Sequence, residues 1–381
     1  MLSLCHIALK ATETVSEQLM VARTLACSIG STSLEADVEY TGAVHEYTSG
    51  RFDEASKALH HLLSLKSLHL PWQKVKSRTL ALEEIRARAY DLLGHIAANS
   101  DDFTKQANYI YLALAELDKI DTRDPYIEAQ ILSNLVLIAA DRDVDGVFQF
   151  VRNRLLGVKF PGECQVFEFE IRRNLGLCAS MHGDHVGALR EFRRSSEIAP
   201  NRASKIKALV DRSSLANELN ECTFANEELD YAFELTKQVD WSKVSSTESF
   251  ALLAMSQNLA KREPVEARRL LNLFSECKKR HNPFQTAPTD FGFAGREFQA
   301  DALVTQFEGN RERAVQLNIH ALHCFKRVGY VGRAATVAVE LFELTGERSY
   351  LEYAATYTKK LPHSHLARRV NGYLSGSQLT A

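Results

Sequence analysis

With 381 residues, 45% of them hydrophobic and 25% charged, the chain has the composition of a folded protein with a large core or a series of small ones, and a disordered tail is excluded. The 46 basic and 48 acidic residues leave a formal charge of −2, which argues against a surface built throughout to coat nucleic acid and leaves room only for a local basic groove. Eight prolines and 18 glycines, with little alternation of β-branched and polar residues, point to an all-α protein.

In chain order, residues 1–7 carry no basic leader or small-residue cleavage site, and Lys10 and Glu13 interrupt the apolar run early, so no secretory signal is expected. No later stretch approaches the roughly 18 uninterrupted apolar residues of a membrane span, and the expected location is cytoplasmic. A turn at Gly50, with Phe52 and Ala55 after it, opens a helix whose apolar face is Ala55, Ala58, Leu59, Leu62 and Leu63. The insert at Leu70-Pro71-Trp72 reads as an ordered or binding loop. Leu82, Ile85, Ala89, Leu92, Leu93 and Ile96 mark the next helix, and a turn follows at Asp101. Ala129, Leu132, Leu135, Val136 and Ala139 mark another, with a turn at Arg142. Further turns are expected at Cys222, Arg262, Gly309 and Gly346, and Ala267, Leu270, Leu271, Phe274 and Cys277 form one more helical stripe. A second insert runs from His281-Asn282-Pro283 through Gly295, and residues 375–381 read as a frayed tail.

The turns recur about every 40 residues, a period that signals stacked helix pairs. Between Arg172 and Pro200, the succession Leu175-Gly176, Gly183, Ala188, Phe192, Ser195 and Pro200 is similar to the helix-turn-helix pattern of tetratricopeptide repeats, where small residues let two antiparallel helices touch. A single pair cannot hide its apolar stripe, so residues 1–374 are expected to form one right-handed, tetratricopeptide-like solenoid of about eight antiparallel helix pairs.

The final quarter carries a more specific likeness. Phe325-Lys326-Arg327-Val328-Gly329-Tyr330, Gly332-Arg333-Ala334-Ala335, Leu344-Thr345-Gly346, Tyr350-Leu351-Glu352-Tyr353-Ala354 and Leu366-Ala367-Arg368-Arg369 together resemble the C-terminal repeats of large bacterial LuxR-type transcriptional regulators. The resemblance implies a ligand- or partner-binding region linked to transcriptional regulation. Without the DNA-binding domain that follows such repeats, it is expected to act through another protein.

Sequence motifs for chemistry are sparse. No glycine-rich loop ends in Gly-Lys-Ser or Gly-Lys-Thr, and neither H-E-x-x-H nor G-x-S-x-G occurs, so no enzyme activity, catalytic residue or cofactor is expected. Asp141-Arg142-Asp143-Val144-Asp145-Gly146 resembles half of a calcium loop, but Arg152 stands where a bidentate Glu belongs, and helix capping is the expected role of these acids. His320, His323 and Cys324 lie near one another on a helix, as do Cys277 and His281, yet no second dense pair follows at zinc spacing, so no metal is expected. The seven scattered cysteines, without C-x-x-C, read mostly as reduced buried thiols.

Basic residues cluster at Arg172-Arg173, at Arg190, Arg193 and Arg194, and at Lys278-Lys279-Arg280, as either a solvated helix face or a groove for phosphates or an acidic peptide. Few aromatics interleave with them, which disfavours single-strand stacking. Asn134 and Asn174 lie one period apart on the first helix of their pairs, where an amide can hold a peptide backbone by donating and accepting at once. The expected binding residues are therefore Asn134, Arg172, Arg173 and Asn174, on a concave face that recognises a protein, a peptide or a small effector. A basic nucleic-acid groove is the alternative.

Overall fold

The computed structural model describes residues 12–65, 81–99, 103–120, 124–142, 147–155, 160–281, 291–359 and 361–376. Regular structure among the described residues is helical throughout: eighteen α-helices, one 3-10 turn at Gly162–Cys164, and no strand. No helix among them is long and apolar enough to cross a membrane. The chain divides into two compact units, Met1–Leu135 and Val136–Ala381, and the division falls inside a helix.

Unit 1 contains α1 (Thr12–Ile29), α2 (Thr32–Thr48), α3 (Phe52–Ser64), α4 (Leu82–Asn99), α5 (Phe103–Leu117) and the first part of α6 (Pro125–Arg142). Each of α1 to α4 packs on the next, and α2 also reaches α4. The predicted stripes are the contact surfaces: Leu59 and Leu62 of α3 and Ile85, Ala89 and Leu93 of α4 are buried in one cluster. Arg23 of α1 clamps the buried carboxylate of Glu39 on α2 through two hydrogen bonds of 2.6 and 2.9 Å.

Unit 2 begins within α6 and continues through α7 (Val147–Leu155), α8 (Gln165–Met181), α9 (His185–Glu197), α10 (Arg202–Glu218), α11 (Cys222–Thr236), α12 (Ser246–Leu259) and α13 (Pro264–His281). It ends with α14 (Phe291–Phe307), α15 (Arg311–Arg327), α16 (Val331–Thr345), α17 (Arg348–Thr358) and α18 (His365–Leu374). From α7 onward every helix packs on its successor, and α8, α10, α12 and α14 also touch in series, so these four form a continuous row. At the far end α18 packs against α17 and returns to α8.

Local sequence explains the helix boundaries. Asn201, Asp184, Asn310 and Ser364 accept a backbone N–H at the third helical position of α10, α9, α15 and α18. Ser245 and Glu248 cap α12 reciprocally, each side chain bonding the other's backbone. The expected turns at Gly50, Gly183, Gly309 and Gly346 have left-handed glycines, and the turn before Cys222 uses Asn220 at φ 63°. The turn expected at Asp101, the insert at Leu70-Pro71-Trp72 and residues 377–381 lie outside the described residues.

The second predicted insert differs from the structure. His281 still belongs to α13, residues 282–290 lie outside the described set, and α14 is already helical from Phe291. Gly295 is a packing glycine inside that helix: a Cβ there would stand 2.7 Å from Phe325 Cε1 on α15. Gly176 plays the same part in α8, where a Cβ would come 2.6 Å from Cε1 of the buried Phe192 on α9. Two pairs of successive helices, α8 with α9 and α14 with α15, thus use the same small-into-large contact.

Gly183 combines two constraints. Its φ is +79°, and a Cβ would meet the His363 carbonyl oxygen at 2.7 Å, where the segment before α18 crosses the α8–α9 turn. Gly183→Ala is expected to cost about 1–3 kcal/mol through backbone strain and forced separation. Urea unfolding checks this, and amide exchange should rise first in α18.

Candidate functional site

In the row formed by α8, α10, α12 and α14, polar pairs join neighbouring helices beside an apolar core that includes Ile206, Leu209, Leu252 and Val304. Lys207 of α10 is only 6% exposed and its ammonium lies 3.0 Å from Glu170 of α8. Arg173 of α8 stands 2.6 Å from Asp211, one turn further along α10. Ser214 donates to the Asn258 side-chain oxygen of α12 at 2.7 Å, and Gln299 of α14 donates to Glu340 of α16 at 3.0 Å. Burial alone would raise Glu170, but Lys207 and Arg173, with a contribution from Arg296 of α14, hold it below the ordinary carboxylate value. Burial draws Lys207 down despite Glu170, so the pair remains an ionic contact held at a desolvation cost.

The row borders a cavity of about 500 Å3 closed by α16, α17 and α18, within the roughly 300–1,000 Å3 range of small-ligand sites. Leu177, Met181, Phe192, Leu215, Leu361 and Leu366 supply apolar wall. Glu218, Arg333, His365 and Arg369 supply charge. His365 Nδ1 lies 3.8 Å from Glu218, and Arg368 donates to His185 Nε2 at 3.0 Å, so α18 is tied to α10 and α9 by polar contacts. Arg369 grips Glu343 of α16 at 2.9 and 2.6 Å.

The electrostatics follow from burial and crowding of like charge. Burial pushes Glu218 up to about 7 against the pull of Arg368 and Arg369. Burial, helped by Arg369, Arg368 and His185, depresses His365, and burial with Arg368 depresses His185. Both imidazoles are therefore held neutral at neutral pH.

Beneath the row, Glu340 is pushed by burial up to about 7, only partly offset by the Gln299 hydrogen bond and Arg369, while Glu343 adds to the rise. A carboxyl raised from the ordinary 4.5 favours the fold while protonated in it, so this contribution falls as pH rises from about 4.5 through 7. Glu340→Gln removes the titration. The variant is expected to gain about 2 kcal/mol over the parent at pH 8 and little at pH 4.5, read from paired urea denaturations at the two pH values.

The structure brings three of the four sequence-predicted residues onto one helix, α8. Asn174 is buried there at 3% exposure, Arg173 joins the row, and Arg172 turns to Glu168 and to Glu191 of α9, each at 3.3 Å. Asn134 belongs to unit 1, where its amide donates to the Asp91 carboxylate at 2.8 Å and sits 3.3 Å from His95 Nε2. Within the other basic runs, Arg190 meets Glu191, Arg193 meets Glu197 and Lys278 meets Glu297, whereas Arg280 donates to the Glu276 carbonyl.

Sequence reasoning misses Lys207, Asp211, Glu218, Arg333, His365 and Arg369. A signal is present in α10, where Lys207, Asp211, Ser214 and Glu218 follow at steps of 4, 3 and 4 and so share one face amid apolar neighbours.

Among the described residues no group of three or more His, Cys, Asp or Glu side chains could hold a metal ion. The Cys277 thiol reaches the Trp241 carbonyl at 3.4 Å, and the His320 ring packs 5.4 Å from Phe298. Asp141 and Arg142 end α6, whereas residues 143–146 of the calcium-loop resemblance lie outside the described residues, as does the side chain of His281.

No protein-family model and no curated protein matches this chain.

Proposed function

We propose that unit 2 is a binding module, a tetratricopeptide-like right-handed solenoid of antiparallel helix pairs whose concave face is the row α8, α10, α12 and α14. The observation that carries this reading is the set of partly buried polar pairs along that row: Glu170 with Lys207, Arg173 with Asp211 and Ser214 with Asn258. Buried ion pairs are poor sources of stability, since well-packed apolar residues would serve the stack as well or better. Their retention on one face suits recognition of a polypeptide or small effector, whose polar groups exchange partners with them. The acids beside Arg172, Arg173, Arg190, Arg193 and Lys278 neutralise these cations locally, which favours such a partner over nucleic acid. The resemblance of the final quarter to LuxR-type regulators supports a role in transcriptional control exerted through that partner.

Purification of the full chain from cells that express it, with mass spectrometry of what co-elutes, tests the proposal. The double variant Arg173→Gln, Asp211→Asn removes both charges of a pair together and leaves neither buried alone. A stoichiometric protein, peptide or small effector that is lost from this variant, with its melting curve cooperative, is the expected result. Co-elution of nucleic acid alone, or a partner retained at full occupancy by the variant, overturns the reading.

A further inference from the structure

We infer that the α16–α18 end of unit 2 is an autoinhibitory clasp: seated on α8, α9 and α10 it covers part of the concave row, and a polypeptide partner gains that part only when the clasp lets go. The inference rests on the reading of unit 2 as a binding module and adds a regulation to it.

The seat is a seam between two apolar cores. Ala179, Ala188, Phe192 and Leu215 of α8, α9 and α10 are buried in one cluster, with Leu177 and Leu219 packed against it. Leu361 and Val370 are buried in another with residues of α15, α16 and α17, and Leu366 and Tyr373 pack against that one. Of the described residues of α8, α9 and α10, Met181 alone joins this second cluster. Between the two lies the cavity of about 500 Å3. Close-packed apolar surface is what fastens helices to one another, so the seam is held less firmly than the helices on either side of it.

Most of what crosses the seam is polar. His365 faces Glu218 at 3.8 Å with both side chains partly exposed, and Arg368 donates to His185 Nε2 at 3.0 Å on the surface. The lead-in to α18 meets the α8–α9 turn backbone to backbone, where Gly183 leaves room for the His363 carbonyl. Exposed polar contacts of this kind exchange readily with water and contribute little each. On its other side α18 is anchored. Arg369 and Tyr373 both bond Glu343 of α16, and the Tyr373 ring packs edge-on 5.2 Å from Phe342. When the seam opens, α18 therefore stays with α16 and α17.

Clasp and partner claim the same surface. Asp211 and Ser214, members of the polar pairs of the row, line the cavity together with Ser364, His365 and Leu366 at the start of α18. About 500 Å3 admits a small molecule. A polypeptide interface of roughly 800 Å2 per partner has no place inside it. Closed chains are subtracted from the binding-competent fraction, and the apparent affinity falls in proportion.

Arg368→Glu in the full chain tests the clasp. Arg368 attracts Glu218 and shares His185 with Asp184, so a carboxylate at 368 repels the seat that the guanidinium holds. Leu215→Cys, at a position 2% exposed on the cavity wall, is the reporter in every background, and fluorescein maleimide is the probe. Peptide mapping separates this thiol from the native ones. In partner-free chain it is expected to label about tenfold or more faster with Arg368→Glu, and likewise with Gly183→Ala, which lifts the lead-in off its turn. Leu271→Ala truncates the core in α13, away from the seam, and should leave the rate within about twofold. The polypeptide recovered by co-elution, added back to stripped chain, should bind Arg368→Glu about tenfold or more tighter than the parent. Unchanged labelling in both seam variants, equal acceleration by Leu271→Ala, or partner affinity that does not rise when labelling does, overturns the clasp and leaves the binding module standing. Faster labelling with no polypeptide co-eluting from either protein overturns the binding module, and the inhibitory role falls with it.

Discussion

Lys207→Met is expected to destabilise the protein by about 3–5 kcal/mol, since it strips the nearest counter-charge from a carboxylate held between two helices. Glu170 lies 3.0 Å from the Lys207 ammonium, and Arg173, its other neighbour on α8, is 3.9 Å away and already committed to Asp211 at 2.6 Å. The methionine fills the volume of the lysine stem, so the loss reports charge and not a cavity. Glu170→Met combined with Lys207→Met should recover most of the deficit, because two apolar side chains in contact leave nothing uncompensated. The measurement is a double-mutant cycle by urea denaturation at pH 7. Additive single-variant losses would show that the two side chains do not act as a pair.

Phe192→Ala should cost a comparable 3–5 kcal/mol or so, roughly the value for an aromatic ring cut back in a core, because a ring 1% exposed is removed from the seam between α8 and α9. Here the expected rescue comes from the opposite helix. Gly176 owes its lack of a side chain to that ring, since a Cβ would stand 2.6 Å from Cε1. In the Phe192→Ala background, Gly176→Leu should therefore refill the space and restore about half of the lost stability, whereas Gly176→Leu alone should destabilise by overpacking. Thermal melts of the four proteins decide it, and a Gly176→Leu substitution that is equally harmful in both backgrounds would contradict the packing account.

The helices are legible in the sequence for the reason that their apolar stripes are also their contacts. Leu59, Leu62, Ile85 and Leu93 in unit 1 and Leu270, Leu271 and Phe274 in unit 2 are read from spacing alone, and all are buried. Turns are equally legible where glycine supplies positive φ, as at Gly50 and Gly309. The same residue type misleads at Gly295, which marks close approach of Phe325 within a helix and not a loop. One sequence letter serves both purposes, and only the facing ring distinguishes them.

The candidate site is legible in part. Arg173 and Asn174 lie on the row of touching helices, but the charges that face α8, Asp211 and Lys207, come from α10, and spacing along one helix cannot reveal which charge meets which. The cavity is hidden for a stronger reason. It depends on α18 returning to α8, which joins Glu218 to His365 and His185 to Arg368 across separations of 147 and 183 residues. No local pattern encodes such a contact. The final quarter stands out in the sequence for the Leu366-Ala367-Arg368-Arg369 string, and that string closes the cavity through Leu366 and Arg369.

Hydrogen–deuterium exchange of the full chain, alone and with its recovered partner, tests the central claim most directly. The account predicts added protection in α8, α10 and α12, with α9, α11 and α13 unchanged. Protection confined to α9, α11 and α13, or absent from unit 2 while the partner remains bound, would contradict it.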